Sequence, residues 1–220
     1  DLNVMFRRTL RRSGLPFALS KGFNPRIKVS FGPALSLGMA GWQELADIYL
    51  LNNIVKQELK ERINQKAPRG LRVEKVTRIS EGSISLGKLL QFAVYQIRFS
   101  LNHHNQEIDL ADRKYKIKEA IRGFLNKDTI IIDKANKNGL KQVNIRPYIE
   151  TMKLISSQNQ TFIIRLLINI RFQGSINPHY IWKAFVDRSG KSQWILEDII
   201  RECFLISKPQ IESLESFTKS

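Results

Sequence analysis

The first half of the chain combines helical and strand-like spacing of apolar residues. Leu2, Phe6 and Leu10 repeat every four residues and predict an amphipathic helix that ends at Gly14. Beyond it, short apolar runs separated by Gly, Pro and Asn predict three short strands, a second amphipathic helix and an alternating strand. These elements lie at residues 15–19, 26–31, 45–51, 55–68 and 70–80.

The second half repeats this kind of pattern after a Ser- and Gly-rich linker at residues 81–88. The pattern predicts, in order, a strand, a helix, three strands, a helix and a strand, at residues 89–101, 113–125, 129–135, 142–155, 161–172, 177–188 and 199–207. We therefore expect an α+β fold with two tandem ferredoxin-like (split βαβ) domains and antiparallel sheets. The domains would cover residues 1–84 and 85–220, and the opening strand of the first would precede Asp1.

The net charge of the chain indicates which class of partner it binds. Lys and Arg outnumber Asp and Glu by 36 to 20, which gives a formal net charge of +16 and a pI near 10.1. Residues 1–32 contain seven of these basic residues and Asp1 as their one acid. Such a concentration exceeds what solubility requires, so we expect this region to contact a polyanion, RNA before DNA.

Several classes of protein fit the sequence poorly. A single cysteine, Cys203, excludes an internal disulfide and any metal or iron–sulfur site built from the chain's own thiolates. Its apolar neighbours predict a buried strand position. No run reaches the eighteen or so apolar residues of a membrane span, and no signal-peptide pattern is visible. We expect a cytoplasmic protein without a membrane partner.

The segment from Ser20 to Gly32 is the richest candidate site. Gly22 and Asn24 tolerate positive backbone angles and Pro25 is rigid, so the loop can present backbone N–H groups to an anion. The candidate residues of this segment are Ser20, Lys21, Gly22, Phe23, Asn24, Arg26 and Lys28. Cations on both sides of Phe23 are typical of single-stranded RNA recognition, in which an aromatic ring stacks on a base. The alternative is a hairpin whose Phe23 packs into its own core.

The opening helix carries Arg7, Arg8, Arg11 and Arg12 and no acidic residue beyond Asp1. At about 100° per residue, Arg8, Arg11 and Arg12 fall within roughly 100° of arc, a face wide enough for several phosphates. The alternative is an ordinary solvated face, which would normally mix charges of both signs.

Two further arginines are candidates with open alternatives. Arg146 precedes a proline, which predicts an extended backbone that directs its guanidinium toward a nucleic acid, or else an ion pair with Glu150. Arg201, within an apolar strand, is either paired in the interior or directed from the sheet toward the same partner.

The three histidines give little support for catalysis or metal binding. His103 and His104 lie in a polar turn and His179 lies in the first turn of a helix, where exposed surface histidines are expected. No nucleophile–histidine–acid pattern, phosphate-binding loop or paired-carboxylate motif is recognisable. We expect no metal and no cofactor in this chain.

The run from Phe6 to Gly41 and the following LADIYL resemble the bacterial radical-SAM-linked domain of unknown function. The specific features are the double arginines of the helix, Gly14-Leu15-Pro16, Ser20-x-Gly22-Phe23-Asn24-Pro25 and Ser30-Phe31-Gly32-x-Ala34-Leu35-x-Leu37-Gly38. The NIRPYI and IIRECF segments resemble later landmarks of the family more weakly.

The resemblance implies an accessory domain that presents a substrate, RNA in our interpretation, to a cobalamin-binding radical SAM protein in cis or in trans. The chain lacks the three-cysteine motif of that enzyme, so the iron–sulfur cluster, S-adenosylmethionine and cobalamin would belong to the partner. The leading hypothesis is an RNA-binding module that presents tRNA or rRNA. The alternatives are an endoribonuclease or RNA-modifying enzyme in its own right, and a protein-interaction scaffold. The absent opening strand suggests a fragment of a longer chain.

Overall fold

A computed structural model describes residues 2–80, 82–101, 109–136, 139–158, 160–172, 174–190 and 194–207. The protein is of mixed α/β type with antiparallel sheets, and it divides into two compact units. Unit 1 comprises residues 1–37 and 45–89, and unit 2 comprises residues 38–44 and 90–220. In the described part of the chain, no helix has the length and apolar character that crossing a lipid bilayer requires.

The helices and strands are numbered in chain order. The helices are α1 Leu2–Arg12, α2 Lys56–Asn64, α3 Leu86–Leu89, α4 Leu110–Leu125 and α5 Pro178–Ser189. The strands are β1 Val29–Phe31, β2 Ala40–Gly41, β3 Ala46–Ile48, β4 Phe92–Leu101, β5 Ile131–Asn136, β6 Gly139–Asn144, β7 Ile149–Gln158, β8 Thr161–Asn169 and β9 Trp194–Leu205.

In unit 1, two helices and a small antiparallel sheet of β1 and β3 share one apolar core. Its buried members are Leu10, Leu15, Phe17, Leu59 and Ile63. The apolar stripe predicted for α1 contributes Leu10, and α2 contributes two residues one helical turn apart. The predicted strand at residues 15–19 is reduced to isolated bridges at Phe17 and Leu19.

The strand predicted at residues 70–80 is wrong, because these residues belong to no strand. Val73 and Val76 pack against the core as the alternating pattern implied. The backbone of Val73, however, bonds to a side chain: its N–H donates to Asn64 Oδ1 at 2.7 Å, and its carbonyl accepts from Asn64 Nδ2 at 3.0 Å. Alternation reports which side is buried, whereas a strand also needs a neighbouring strand.

Unit 2 is built on a five-stranded sheet with the order β2-β9-β4-β8-β7. Along the chain β4, α4, β7, β8, α5 and β9 follow one another as β-α-β-β-α-β, with the β5–β6 hairpin inserted after α4. All pairs among β9, β4, β8 and β7 are antiparallel. Phe99 anchors the core, since its ring lies within 5.6 Å of the ring centroids of Phe162, Trp182 and Trp194.

The fifth strand of this sheet, β2, pairs in parallel with β9 and is held there by a buried charge. Arg201 donates from Nε to Glu44 Oε1 at 2.7 Å and from Nη2 to Glu44 Oε2 at 2.5 Å. Its guanidinium also lies 4.5 Å from the ring centroid of Phe204 and bonds to Tyr95. Burial raises the pKa of the Tyr95 phenol, and the adjacent Arg201 charge offsets part of the rise. Arg201 is therefore paired in the interior, one of the two alternatives for this residue.

The long strand predicted at residues 142–155 is interrupted by a 3-10 turn over Arg146–Tyr148. Asn144 Oδ1 accepts hydrogen bonds from the backbone N–H groups of Ile130 and Arg146, at 2.9 and 3.1 Å. Pro147 fits the first positions of such a turn because no N–H is needed there. The extended backbone predicted for Arg146 is therefore wrong.

Candidate nucleic-acid interface

Helix α1 presents three arginines to solvent. Arg8, Arg11 and Arg12 are exposed, while Thr9 and Leu10 between them are buried. Their spacing on the helix is that of one broad face, because α1 is regular from Leu2 to Arg12. Arg12 also reaches back along this face, since its Nε donates to the carbonyl of Arg8 at 3.4 Å. All three therefore have the accessibility that phosphate binding requires.

Arg7 occupies a different environment from the other three. Its Nη1 donates to the carbonyl of Ile27 at 2.9 Å and its Nη2 to that of Val29 at 3.4 Å. The guanidinium also lies 5.3 Å from the ring centroid of Phe31. Arg7 thus ties α1 to the segment that follows the candidate loop, and its contact with RNA stays a prediction.

The C-terminal end of α1 is fixed by Arg62 of α2, a residue that the sequence pattern does not single out. Gly14 ends the helix with a φ of +64°, a left-handed conformation that favours glycine. The Nη2 of Arg62 donates to the carbonyls of Ser13 and Gly14, at 3.2 and 2.9 Å. A cation at this end complements the helix dipole, so α2 holds the last turn of α1 in place.

The candidate loop is closed at its base and open at its tip. The N–H of Ser20 donates to the carbonyl of Arg26 at 2.7 Å, and the N–H of Arg26 donates to Ser20 Oγ at 3.0 Å. An antiparallel bridge between Leu19 and Ile27 continues this closure. Every residue from Ser20 to Arg26 is exposed. Ser20 therefore closes the base of the loop through its backbone N–H and its hydroxyl oxygen.

The tip of the loop has the backbone that an anion site needs. Gly22 adopts a φ of +133°, so glycine is required there. Asn24 does not share this conformation, since Gln160 is the one non-glycine residue with positive φ among those described. Within the same described residues, the backbone N–H groups of residues 21–24 donate to no protein acceptor. They are accessible to an external acceptor.

Phe23 projects from this loop with its whole side chain in solvent. Its relative exposure is 106%, the highest among the exposed large apolar residues of the described chain. The alternative in which Phe23 packs into the core of its own hairpin is wrong. Lys21 and Arg26, one on each side, are exposed as well. The loop therefore displays an aromatic ring between two cations.

Lys28 lies beside the loop and is positioned by an aromatic neighbour. Its Nζ is 4.2 Å from the ring centroid of Tyr49, a cation–π contact. Tyr49 itself is 40% exposed, so both groups face solvent together. Sequence reasoning missed Tyr49 because it stands in an apolar run that predicts a strand, and nothing in that run distinguishes it from its neighbours.

The positive charge of unit 1 is only partly neutralised by its own acids. Its sequence contains 16 Lys and Arg residues against six Asp and Glu, which places ten of the chain's 16 net charges there. The ion pairs found within its described residues are Arg62–Glu58 and Arg72–Glu74. Neither involves α1 or the loop, so the field of these two elements is available to an anionic partner.

The remaining candidate residues lie elsewhere. Arg146, in unit 2, donates from Nε to the carbonyl of Leu125 and from Nη1 to that of Ile149, both at 2.9 Å. It joins the end of α4 to the start of β7, and its role in RNA binding stays a prediction. His103 and His104 lie outside the described residues. His179 is half-buried in the first turn of α5, where its backbone N–H donates to the capping Asn177 Oδ1 at 2.9 Å.

Residues suited to a metal ion are not brought together in the part of the chain that the structure describes, where no group of three or more His, Cys, Asp or Glu side chains meets. Cys203 lies in β9 as predicted, but it is half-buried rather than buried. Burial, with a contribution from the charge of Glu202, raises the pKa of its thiol to about 11. The thiol is protonated at neutral pH, so it is a poor nucleophile.

Comparison with known proteins gives a family and no established activity. No curated protein matches the sequence significantly. Among solved structures, a chain of the "Crystal Structure of a Cbf5-Nop10-Gar1 Complex" is similar over 53% of this chain and 31% of its own length, with 12% identity and a TM-score of 0.36. That score is too low to assign a shared fold. The family described as "Uncharacterized protein conserved in bacteria (DUF2344)" matches residues 1–178, and the chain belongs to it.

Proposed function

We propose that this chain is an RNA-binding module and that unit 1 provides its binding surface. The observation that carries the proposal is the fully exposed ring of Phe23, which Lys21 and Arg26 flank in sequence on a loop closed by Ser20. Exposing a phenylalanine completely to water is unfavourable for the isolated protein. Stacking on a base would remove the ring from water and would place the flanking cations at the adjoining phosphates.

Single-stranded RNA is the favoured form of the ligand. An exposed ring on a loop can stack only on an unpaired base, because the bases of a duplex are already stacked on one another. The exposed arginines of α1 add sequence-independent phosphate contacts. Arg7 supports a common surface, since it bonds α1 to Ile27, the residue next to Arg26. Loops and unpaired ends of tRNA or rRNA supply such a substrate.

The role of the module in the cell is the second part of the proposal. We propose that it presents tRNA or rRNA in the cytoplasm to a radical SAM protein, which would carry the iron–sulfur cluster, S-adenosylmethionine and cobalamin. The support is the likeness of the run from Phe6 to Gly41 to radical-SAM-linked domains. In this arrangement the partner performs the chemistry and this chain holds the substrate.

A tandem ferredoxin-like architecture is the fold that accompanies this proposal. Unit 2 supports it through the chain order β-α-β-β-α-β and the sheet order β9-β4-β8-β7. Unit 1 supports it less fully, through the order helix, paired extended segments, helix.

The direct test is to crosslink the protein to nucleic acid in cells with ultraviolet light and to sequence what is attached. We expect tRNA or rRNA fragments to be recovered, and we expect the yield to fall at least tenfold for Phe23→Ala. The matched control is Leu37→Ala, because Leu37 is a second apolar residue of unit 1 with 87% exposure. Recovery of proteins alone would favour the scaffold, and cleavage of RNA by the purified chain would favour an endoribonuclease; either result contradicts the proposal.

A further inference from the structure

A groove in unit 2, between α4 and α5, lies outside the basic surface of unit 1. Its volume is about 470 Å³. Ligand sites for small molecules typically fall in the range of roughly 300–1,000 Å³, so the groove has room for a mononucleotide. The lining residues that matter for its chemistry are Tyr115, Lys116, Glu119, Gly123, Lys127 and Arg188.

The glycine in this lining has no local explanation. Gly123 lies in the last turn of α4 with an ordinary helical backbone, so its conformation does not require glycine. A Cβ atom built at this position would meet nothing within 4 Å, so packing does not require glycine either. Because alanine is a much better helix former, glycine at this position lowers the stability of the helix. What glycine does provide is an open groove.

The charges of the lining favour an anion. Lys116 and Lys127 are exposed, and neither forms an ion pair within the described chain. The one acidic residue of the lining, Glu119, is paired with Arg122 on the same helix at 2.8 Å. That pairing reduces the negative field that Glu119 would otherwise direct into the groove.

Arg188 is held at the groove in a defined orientation. Its Nη2 donates to the carbonyl of Ile131 at 2.6 Å. This bond uses one of the five N–H donors of the guanidinium, and it restrains a side chain that would otherwise be mobile. A phosphate entering the groove would therefore meet a guanidinium that is already oriented, rather than one on a freely rotating side chain.

Tyr115 supplies the aromatic component. It lies at the groove with 65% of its side chain exposed, although tyrosines usually bury more of their ring. An exposed ring beside three cations matches the two parts of a nucleotide, a flat base and a phosphate. An anion without a base would not stack on the Tyr115 ring.

We propose that this groove is a nucleotide-binding site, in which Tyr115 stacks on the base and Lys116, Lys127 and Arg188 bind the phosphate. Gly123 keeps the space between them open. The nucleotide is either a free mononucleotide or one unpaired residue of an RNA strand, which present the same chemistry to the groove.

The test is equilibrium dialysis of the full chain against labelled adenosine monophosphate, a single-stranded oligoribonucleotide and inorganic phosphate. We expect saturable binding of at least one nucleotide ligand that is at least tenfold tighter than that of phosphate and that Tyr115→Ala weakens. Because unit 1 is itself proposed to bind single strands, oligonucleotide binding is assigned to the groove only where Tyr115→Ala weakens it. Such binding, if tighter than that of the monophosphate, identifies an RNA residue as the ligand, and tighter binding of the monophosphate identifies a free nucleotide. Equal affinity for phosphate, or no saturable binding, would overturn the proposal.

Variants locate the site and separate it from unit 1. Tyr115→Ala and Lys127→Ala should each weaken binding about tenfold, whereas Lys118→Ala, an exposed lysine of α4 outside the lining, should not. Gly123→Leu should abolish binding, and Gly123→Ala should weaken it while raising the Tm by about 2–4 °C. An equal loss for Lys118→Ala would indicate diffuse charge and contradict the site. Phe23→Ala should leave monophosphate binding unchanged, so the two proposals fail independently.

Discussion

Arg201 and Glu44 form a two-point ion pair across 157 residues of sequence, in which Nε and Nη2 of the arginine donate to the two carboxylate oxygens at 2.7 and 2.5 Å. The arginine side chain is 2% exposed and the glutamate side chain 23%. The N–H of Trp42 donates to the carbonyl of Arg201 at 2.9 Å, so the same residue also bonds through its backbone. This pair attaches residues 38–44 to the sheet of unit 2.

Removing the glutamate should therefore be costly. Glu44→Ala leaves a buried guanidinium without its carboxylate, and breaking a buried pair typically costs about 3–5 kcal/mol. Urea unfolding should show this loss as a lower midpoint. The matched control is Glu58→Ala, because Glu58 pairs with Arg62 in an exposed i,i+4 arrangement that contributes less than about 1 kcal/mol. Equal losses for the two variants would show that β2 does not depend on the pair.

Arg146 is predicted to stabilise unit 2 through its two backbone carbonyl partners. Arg146→Met keeps much of the side chain's length but removes both hydrogen bonds, with an expected loss of about 2 kcal/mol in the free energy of unfolding. RNA affinity distinguishes a structural role from the predicted RNA contact, since a guanidinium that acts only through Leu125 and Ile149 would leave the affinity changed less than twofold. An unfolding measurement checks the stability, and filter binding checks the RNA affinity. A tenfold loss of affinity in a variant of normal stability would confirm the predicted role of Arg146 as an RNA ligand.

The Cys203 thiol makes stability depend on pH in the alkaline range. Its pKa in the folded protein is about 11, against an ordinary value of 9.0. Between these values the unfolded chain releases its thiol proton and the folded chain retains it, so this group lowers stability as the pH rises from 9 to 11 and has no effect below 9. Cys203→Ser should flatten that part of a stability profile measured by urea unfolding. An unchanged alkaline slope would contradict the burial of the thiol.

Iodoacetamide gives a second readout of the same thiol. At pH 8 the folded protein should react much more slowly than the chain unfolded in urea, because the thiolate is the reactive form. Equal rates in the two states would show that the thiol is not shielded by the fold.

The sequence was most informative where local spacing decides structure. The helical periods of α1, α4 and α5 were correctly placed, as were the apolar strands β4 and β8, whereas the final strand was predicted at residues 199–207 and begins earlier, at Trp194. These elements carry their own pattern of buried positions, and the pattern survives whatever they pack against.

The sequence was least informative where a distant partner decides structure. The alternation at residues 70–80 predicted a strand, but Asn64 satisfies the backbone of Val73 in place of a neighbouring strand. The two-residue strand β2 has no period of its own and exists through its pairing with β9. For the candidate site, composition identified the loop and the arginines, but it could not show that Phe23 is fully exposed or that Arg7 is tied to Ile27. The Arg7 contact depends on how α1 packs against residues 27–29.

The central claim, that the α1 face and the loop bind an RNA strand, is tested most directly by the salt dependence of RNA affinity. Each phosphate contact contributes roughly 0.7 to the slope of log K against log salt for a single strand. The triple variant of Arg8, Arg11 and Arg12 to alanine should reduce the slope by about 2, and the same change at the exposed Lys56, Lys66 and Arg69 should reduce it by less than about 0.5. Equal reductions for these two charge-matched variants would mean that RNA responds to net charge alone, and would contradict the surface described for unit 1.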